Sequence, residues 1–253
     1  MRVALCLSGV VGKLYTGRHG WPNTDENFNV DFRIGHHFYK KHIFDVNNDV
    51  DVFIQSWDVK YALELVELYN PKKSKFQKQI QFDRDDIYQK MAESRWYSTK
   101  VVTELKREYE RENNFTYDVV MSSRFDVGIF KDLNFSKFNN LDTTMCVPMG
   151  LPINPTSVLD YWHFSSSKNM DIINNFYPHF EKYGCRSPHK DLYQWPTDNG
   201  IEIHRLDKFQ ESEMGNGDTE IIRAFFDNCE YREGDFNIEN LKKLKQYPRG
   251  TRI

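Results

Sequence analysis

The sequence contains few cysteines, and none of them is grouped with another metal-binding or disulfide-forming residue. Its 253 residues include Cys6, Cys146, Cys185 and Cys229, which are scattered without a CxxC pair or a short spacing to histidine. Structural zinc sites and disulfide frameworks both need such groupings. The pattern therefore favours reduced, buried thiols.

Long hydrophobic runs and an excess of one charge are also missing. The apolar run from 3 to 7 is too short for a secretory signal or a membrane span. Lys and Arg number 34 against 37 Asp and Glu, for a net charge of −3. The basic residues form no stripe apart from two short lysine runs, Lys72 to Lys78 and Lys242 to Lys245, which are better explained as solvated surface. We therefore expect a cytoplasmic protein of the producing or host cell that binds no nucleic acid and does not span the membrane.

Two common phosphate-binding motifs are absent as well. Neither GxxxxGK followed by Ser or Thr, nor GxGxxG after the first predicted strand, occurs, which disfavours P-loop, sulfotransferase and methyltransferase activities. The stretch from Ser8-Gly9 through Arg18 nevertheless offers glycine amides, a hydroxyl and cations that could hold a diphosphate or nucleoside. A glycine-rich surface loop without a ligand is the alternative interpretation.

The remaining pattern alternates strands with helices. Composition (39% hydrophobic, 15% aromatic, 28% charged) is that of a folded protein, and the length fits one domain. Apolar runs predict strands at 3–7, 51–58, 117–121, 127–130, 145–149, 161–164 and 201–206, and a short one at 76–82; helical spacing predicts helices at 28–44, 59–69, 85–112, after 165–167 up to Pro178, and 221–226 capped by Asp218. The predicted fold is a single Rossmann-like α/β domain, a mixed sheet flanked by helices.

Polar residues follow three of these predicted strands. Ser8-Gly9, Asp58, and Arg124 with Asp126 come after the first, second and third strands. Ligands of open α/β sheets bind beyond the carboxyl ends of the strands, so we expect these residues on one edge. Asp49-Val50-Asp51 spells a D-x-D motif but precedes its strand, which assigns it to the opposite edge.

Such an edge suits a metal and an anion. A carboxylate there can hold Mg²⁺ or Mn²⁺ on the phosphates of a nucleotide, and an arginine can neutralise a leaving diphosphate. Arg95, Ser98 and Lys100 occur early in the long helix and could reach the same edge, although a solvated helix start explains them equally well. His36, His37 and His42 are better explained as packing residues than as metal ligands.

Several short motifs together resemble a known family. Leu5-Cys6-Leu7-Ser8-Gly9, Asp51 to Asp58, Tyr97-Ser98 with Lys100, Tyr117 to Val120 and Ser123 to Asp126 occur in an order similar to that in GT-A-type glycosyltransferase-like proteins of bacterial surface-polysaccharide loci and of large DNA viruses and phages. The resemblance spans roughly residues 3 to 227, and Asp160-Tyr161-Trp162 with Ser165 to Met170 resembles a later block.

The resemblance implies a GT-A-like fold, a UDP- or GDP-linked sugar donor, Mn²⁺ or Mg²⁺, and transfer to a hydroxyl of a glycan acceptor. By position, Asp126 corresponds to the metal-binding acid of the family's D-x-D-like motif, while Arg124 occupies the place of its first aspartate. The family tends to have an acid after the proline aligned with Pro188, where this chain has His189. Residues 1–130 would bind the nucleotide sugar, and residues 131–253 of the same domain the acceptor.

An inverting transferase also needs a base for the acceptor hydroxyl. We expect it in the second half, favouring Asp191 and then Asp160 over Glu213 and Asp218. Tyr161, Trp162, Tyr193 and Trp195 could stack on sugar, although core packing explains each of them. The leading hypothesis is a metal-assisted glycosyltransferase; the alternatives are a catalytically silent glycan- or nucleotide-binding module and another nucleotide-dependent transferase, such as a sulfo- or methyltransferase.

Overall fold

A seven-stranded mixed sheet forms the centre of the protein. The computed structural model describes residues 1–14, 28–30, 32–148, 155–184, 187–206 and 219–221. From one edge to the other, the strands are Glu202–Leu206 (β10), Thr144–Pro148 (β8), His163–Ser165 (β9), Val119–Ser123 (β6), Val3–Gly9 (β1), Val50–Ser56 (β4) and Lys73–Phe76 (β5). The predicted α/β class with a mixed sheet is confirmed.

One strand, β9, runs opposite to the other six strands of the sheet. β6, β1, β4 and β5 run parallel, β9 is antiparallel to both of its neighbours, and β10 runs parallel to β8. Two small ribbons lie outside this sheet: Gly12–Leu14 (β2) pairs with Phe28–Val30 (β3), and Val127–Ile129 (β7) with Thr219–Ile221 (β11). Because β10, β8 and β9 follow residue 130, both predicted halves contribute to one sheet.

Helices cover both faces of the sheet. They are Phe32–Tyr39 (α1), Ala62–Tyr69 (α2), Ile87–Asn113 (α3), Ser167–Ile173 (α4), Phe180–Tyr183 (α5) and Pro188–Asp198 (α6), with a π-helical turn at Lys40–Phe44 and 3-10 turns at Phe135–Lys137 and Asn174–His179. Asp86 caps α3, since its carboxylate accepts from the Tyr88 amide at 2.8 Å. Within the described ranges, no helix is long and apolar enough to cross a bilayer.

The core lies in two layers, one on each face of β1. Leu5 and Leu7 pack in the layer that holds Tyr39 of α1 and Leu65 of α2. Ala4 and Cys6 pack in the layer that holds Trp96 of α3. A strand buried on both faces needs apolar residues at successive positions, which explains the unbroken apolar run in β1.

A buried group of charges joins α3 to α4. Lys106 is fully buried, and its ammonium contacts Glu110 at 2.8 Å, Asp171 at 2.8 Å and the Ser167 hydroxyl at 2.5 Å. Glu110 also accepts from the backbone amide of Tyr117 at 2.9 Å, just before β6. This group fixes the long helix against the centre of the sheet.

Three predicted elements were wrong in extent or type. Phe28 belongs to β3, and the helix predicted from 28 begins only at Phe32. The strand predicted at 76–82 lies at Lys73–Phe76, because an edge strand pairs through its backbone and needs no apolar face. Ile221, predicted to be helical, is in β11, whereas the rest of that helix lies outside the described residues.

Candidate functional site

Three parallel strands end together, as the sequence predicts. Gly9 at the end of β1 is level with Ser56 at the end of β4, and Ser123 at the end of β6 pairs with Leu7. The carboxyl ends of β6, β1 and β4 therefore form one continuous edge. The turn from β6 to β7, which carries Arg124 and Asp126, begins at this edge.

Arg124 and Asp126 form a bidentate ion pair. Arg124 donates from Nε to Oδ1 of Asp126 at 2.8 Å and from a terminal nitrogen to Oδ2 at 2.6 Å. Their side chains are 17% and 7% exposed, so water screens the pair weakly. Burial opposes the charged guanidinium, yet the Asp126 and Asp160 carboxylates raise the pKa of Arg124 above its ordinary value.

The turn that carries this pair is fixed by α1. The Tyr39 hydroxyl is buried, donates to the Arg124 carbonyl at 2.6 Å and lies 2.7 Å from the Ser123 hydroxyl. Gly35, one helical turn earlier, passes so close that a Cβ added there would meet the Phe125 carbonyl at 2.4 Å. The backbone of the Arg124–Asp126 turn is therefore held by direct contacts from one helix.

A second ion pair connects three elements beside the first. Arg95 of α3 donates to the Asp160 backbone carbonyl at 2.7 Å, and its Nε lies 3.5 Å from the Asp160 carboxylate. His189 of α6 approaches the other carboxylate oxygen, with Nδ1 at 3.4 Å. We call Arg95, Arg124, Asp126, Asp160 and His189 the charge cluster.

The members of the charge cluster influence one another. Burial raises the pKa of Asp160, but the charges of Arg95 and Arg124, with a smaller effect of His189, lower it below its ordinary value overall. Burial lowers the pKa of Arg95, and the neighbouring Arg124 adds to this effect. Arg95 and Arg124 thus interact with each other and with both carboxylates, and the cluster combines two cations with two anions.

The resemblance implied a metal on Asp126, and the surroundings of Asp126 fit such an ion poorly. Both of its carboxylate oxygens already bind Arg124. Among the residues that the structure describes, no three His, Cys, Asp or Glu side chains are grouped to hold a metal ion. A hard divalent cation prefers several oxygen ligands, whereas these two arginines would repel it. Guanidinium groups, by contrast, are donors that bind phosphate oxygens in proteins.

The other residues predicted to bind the nucleotide-sugar donor are not part of the charge cluster. Ser8 is buried at the end of β1, and Gly9 has φ of +127°, which strains any other residue. The half-buried Asp58 accepts from the Lys60 amide at 2.9 Å. Lys100 pairs with Glu104 at 2.5 Å along α3. Arg18 lies outside the described residues.

A row of polar groups lies beneath the same edge, and sequence reasoning missed three of its members. Ser8, Gln55, Ser122 and His163 occupy the neighbouring strands β1, β4, β6 and β9 and are all buried. Each has a buried polar atom without a hydrogen-bond partner in the described part of the chain: both amide atoms of Gln55, the two hydroxyls and His163 Nδ1. Such atoms are uncommon in folded interiors, so the row adds hydrogen-bonding capacity under the edge.

The two favoured bases are both engaged with donors. Asp191, in the first turn of α6, is buried and accepts from the Trp96 indole at 3.2 Å. Asp160 is held by Arg95. Glu213 and Asp218 lie outside the described residues. His189, which the sequence analysis noted only as a departure from the family, lies beside Asp160, with Nδ1 3.4 Å from its carboxylate.

The four aromatic residues proposed as a sugar-stacking wall do not form one surface. Trp162 is fully buried and stacks on Phe164 in the core. Trp195 stacks with His179, and Tyr193 lies under the guanidinium of Arg205. Core and surface packing account for these three residues, while Tyr161 remains partly buried next to the Ser123 hydroxyl.

Comparison with models of known protein families gives no match for this chain, and no curated protein sequence matches it.

Proposed function

We propose that this protein is a glycosyltransferase that moves a sugar from a UDP- or GDP-linked donor to a hydroxyl of a glycan. The observation that carries the proposal is the pair of partly buried arginines, Arg95 and Arg124, whose side chains are 14% and 17% exposed at the common carboxyl edge of β6, β1 and β4. The ordered motifs that resemble GT-A-type glycosyltransferase-like proteins support the same function.

Departure of a nucleoside diphosphate requires stabilisation of negative charge, and Arg124 is suited to this task. A guanidinium has five N–H donors, and the two bonds to Asp126 use two of them. Asp126 then orients Arg124, whose remaining donors have no hydrogen-bond partner within the described part of the chain and are suited to phosphate oxygens. Preorganised donors in a site of low polarity stabilise developing charge more strongly than water does.

The arrangement also bears on the role of metal. Mn²⁺ or Mg²⁺ would supply further positive charge on the diphosphate, but Asp126 is committed to Arg124. We therefore assign the diphosphate to the arginines and expect transfer to persist when divalent ions are chelated. Activity that disappears with chelation and returns with Mn²⁺ would contradict this assignment.

Thermal unfolding with ligands tests the proposal. UDP or GDP at millimolar concentration should raise the Tm of the full chain, by about 2–4 °C for each kcal/mol of binding free energy. Arg124→Gln should abolish the rise, whereas Lys100→Ala, whose lysine pairs with Glu104, should retain it. If neither diphosphate changes the Tm, the proposed function is wrong; binding without donor turnover would favour a silent nucleotide-binding module.

A further inference from the structure

We infer that His189 is the general base that accepts the proton of the attacking hydroxyl, with the Val158 carbonyl orienting its ring and the Asp160 carboxylate placed beside it. This inference rests on the proposed function and names the proton acceptor of that same site. It replaces the two aspartates favoured by the sequence.

The hydrogen bond of His189 determines which ring nitrogen carries its proton. Nδ1 lies 2.9 Å from the backbone carbonyl of Val158. A carbonyl oxygen only accepts, so Nδ1 must be the protonated nitrogen and must donate. In the neutral ring, Nε2 on the opposite side then has a free lone pair. That lone pair is what a general base needs.

Two further contacts hold the ring in place. The backbone amide of Val158 donates to the backbone carbonyl of His189 at 3.0 Å, so the two residues are joined twice. The carboxylate of Asp160 lies 3.4 Å from Nδ1 and is opposite in charge to the imidazolium that proton transfer forms. A buried carboxylate, an oriented imidazole and a free Nε2 form the same kind of arrangement that activates hydroxyl groups in other enzymes.

His189 differs from Asp160 and Asp191 in the solvent exposure of its side chain. Its side chain is 46% exposed, compared with 11% for that of Asp160. Asp160 is also a weak base, because Arg95 and Arg124 lower its pKa below the ordinary range despite its burial. Asp191 is buried against the Trp96 indole. Of these three groups, His189 alone combines access to solvent with a basic atom that has no partner among the residues that the structure describes.

The proposed step is a single displacement that balances in atoms and charge. Nε2 of His189 takes the proton from the acceptor hydroxyl while the hydroxyl oxygen bonds to the anomeric carbon of the donor sugar. The bond from that carbon to the diphosphate oxygen breaks, and its electron pair leaves with the nucleoside diphosphate. His189 ends as the imidazolium beside Asp160 and later releases its proton to water.

The test uses His189→Asn in the full chain. The asparagine amide can donate to Val158 as Nδ1 does, but it has no basic atom in place of Nε2. With UDP-glucose and GDP-mannose as probes and water as acceptor, we expect nucleotide release to fall by about 10²–10⁴-fold. The UDP- or GDP-induced Tm rise should be unchanged, and added imidazole should restore part of the rate. The control is Lys190→Ala, an exposed neighbour on α6, which should behave as wild type.

The role of Asp160 is tested by kinetic constants that a purely structural role in packing would not change. Asp160→Asn should lower kcat about tenfold while the donor KM changes less than about threefold, as expected when transition-state stabilisation is lost. Long-range ¹⁵N correlation spectra of the wild-type protein should show His189 protonated at Nδ1. Protonation at Nε2 instead would overturn the inference.

The outcomes separate this inference from the proposed function. If the turnover of His189→Asn is within about threefold of that of the wild type, His189 is excluded as the base and the transferase proposal is unaffected. A wild-type protein whose Tm does not respond to UDP or GDP would overturn the proposed function itself, before any variant is compared.

Discussion

Tyr39 is the residue that fixes the backbone before Asp126. Its single hydroxyl hydrogen goes to the Arg124 carbonyl, so the Ser123 hydroxyl is the donor in the 2.7 Å contact between the two side chains. Both bonds are removed from water because Tyr39 is fully buried. One phenol thus satisfies the polar groups of two successive residues at the edge of the sheet.

Replacement of Tyr39 by phenylalanine should therefore destabilise the protein. The change removes the oxygen but keeps the ring. It leaves the Arg124 carbonyl without its donor and the Ser123 hydroxyl with only its longer contact to the Tyr161 carbonyl at 3.4 Å, at a cost of about 1–3 kcal/mol. Urea denaturation of Tyr39→Phe and wild type measures it. Tyr88→Phe provides the control, because Tyr88 is 54% exposed and should lose under about 0.5 kcal/mol. Equal effects of the two changes would contradict the assigned role.

His163 makes the stability of the protein depend on pH. It donates from Nε2 to the Asn174 amide oxygen at 2.8 Å. Burial lowers the pKa of His163 to about 4, and the charge of Arg95 contributes, although the bond to Asn174 opposes the shift. The folded state therefore keeps this ring neutral at pH values where the unfolded chain, with its pKa near 6.5, is already protonated.

The sign of the resulting pH effect follows from proton binding. Between about pH 6.5 and pH 4 the unfolded chain binds more protons than the folded protein does. The contribution of neutral His163 to the free energy of unfolding is therefore complete above this window. It decreases by about 3 kcal/mol in total as the pH falls through it. His163→Gln retains a donor for Asn174 but cannot titrate. The difference in unfolding free energy between wild type and this variant, measured by urea at several pH values, should change across the window. A constant difference would contradict the prediction.

At the scale of elements, the approach of α1 to the Arg124–Asp126 turn depends on Gly35. Helix propensity alone predicts that alanine at this position stabilises α1 by about 1 kcal/mol. The close approach of α1 to this turn predicts destabilisation instead, because the new Cβ would lie 2.4 Å from the Phe125 backbone carbonyl, which cannot easily move. We expect Gly35→Ala to destabilise the protein by about 1–3 kcal/mol and to weaken nucleotide binding. Thermal unfolding with and without UDP measures both, and a stabilised variant would exclude the contact.

The attachment of α3 to α4 makes a second prediction at this scale. Lys106→Met would leave the Glu110 and Asp171 carboxylates without their buried cation, at an expected cost of about 3–5 kcal/mol. Lys100→Met on the same helix breaks a more exposed pair with Glu104 and should cost under about 1 kcal/mol. Chemical denaturation compares the two variants. A Lys106→Met protein as stable as Lys100→Met would mean that this charge group contributes little.

At the scale of the whole molecule, the sequence predicted the sheet well where burial leaves a strong pattern. The unbroken apolar runs of β1, β4 and β6 locate three central strands, and the polar residues after them identify the common edge. The edge strand β5 has the sequence Lys-Ser-Lys-Phe, which carries almost no apolar signal. Strand order and the reversed direction of β9 depend on pairing between distant residues, so local pattern could not predict them.

The site was predictable in its location but not in its connections. Asp126, Arg124, Arg95 and Asp160 were all identified from the sequence, and each contributes to the charge cluster. The sequence could not show that Arg124 binds both oxygens of Asp126, because this contact depends on the backbone conformation of the segment between β6 and β7 and on the side-chain rotamers. His189 is one of eight histidines, and only the fold brings it to Asp160.

The position of β9 between β6 and β8 has a consequence for synthesis of the chain on the ribosome. β6 pairs with β1 on one side and, on the other, with residues 163–165, which are translated considerably later. At about 5–20 residues per second, the nascent protein therefore spends seconds with the polar edge of β6 open. Open strand edges pair readily with other chains. Ribosome-associated chaperones would protect this protein most during the interval before residue 163 emerges.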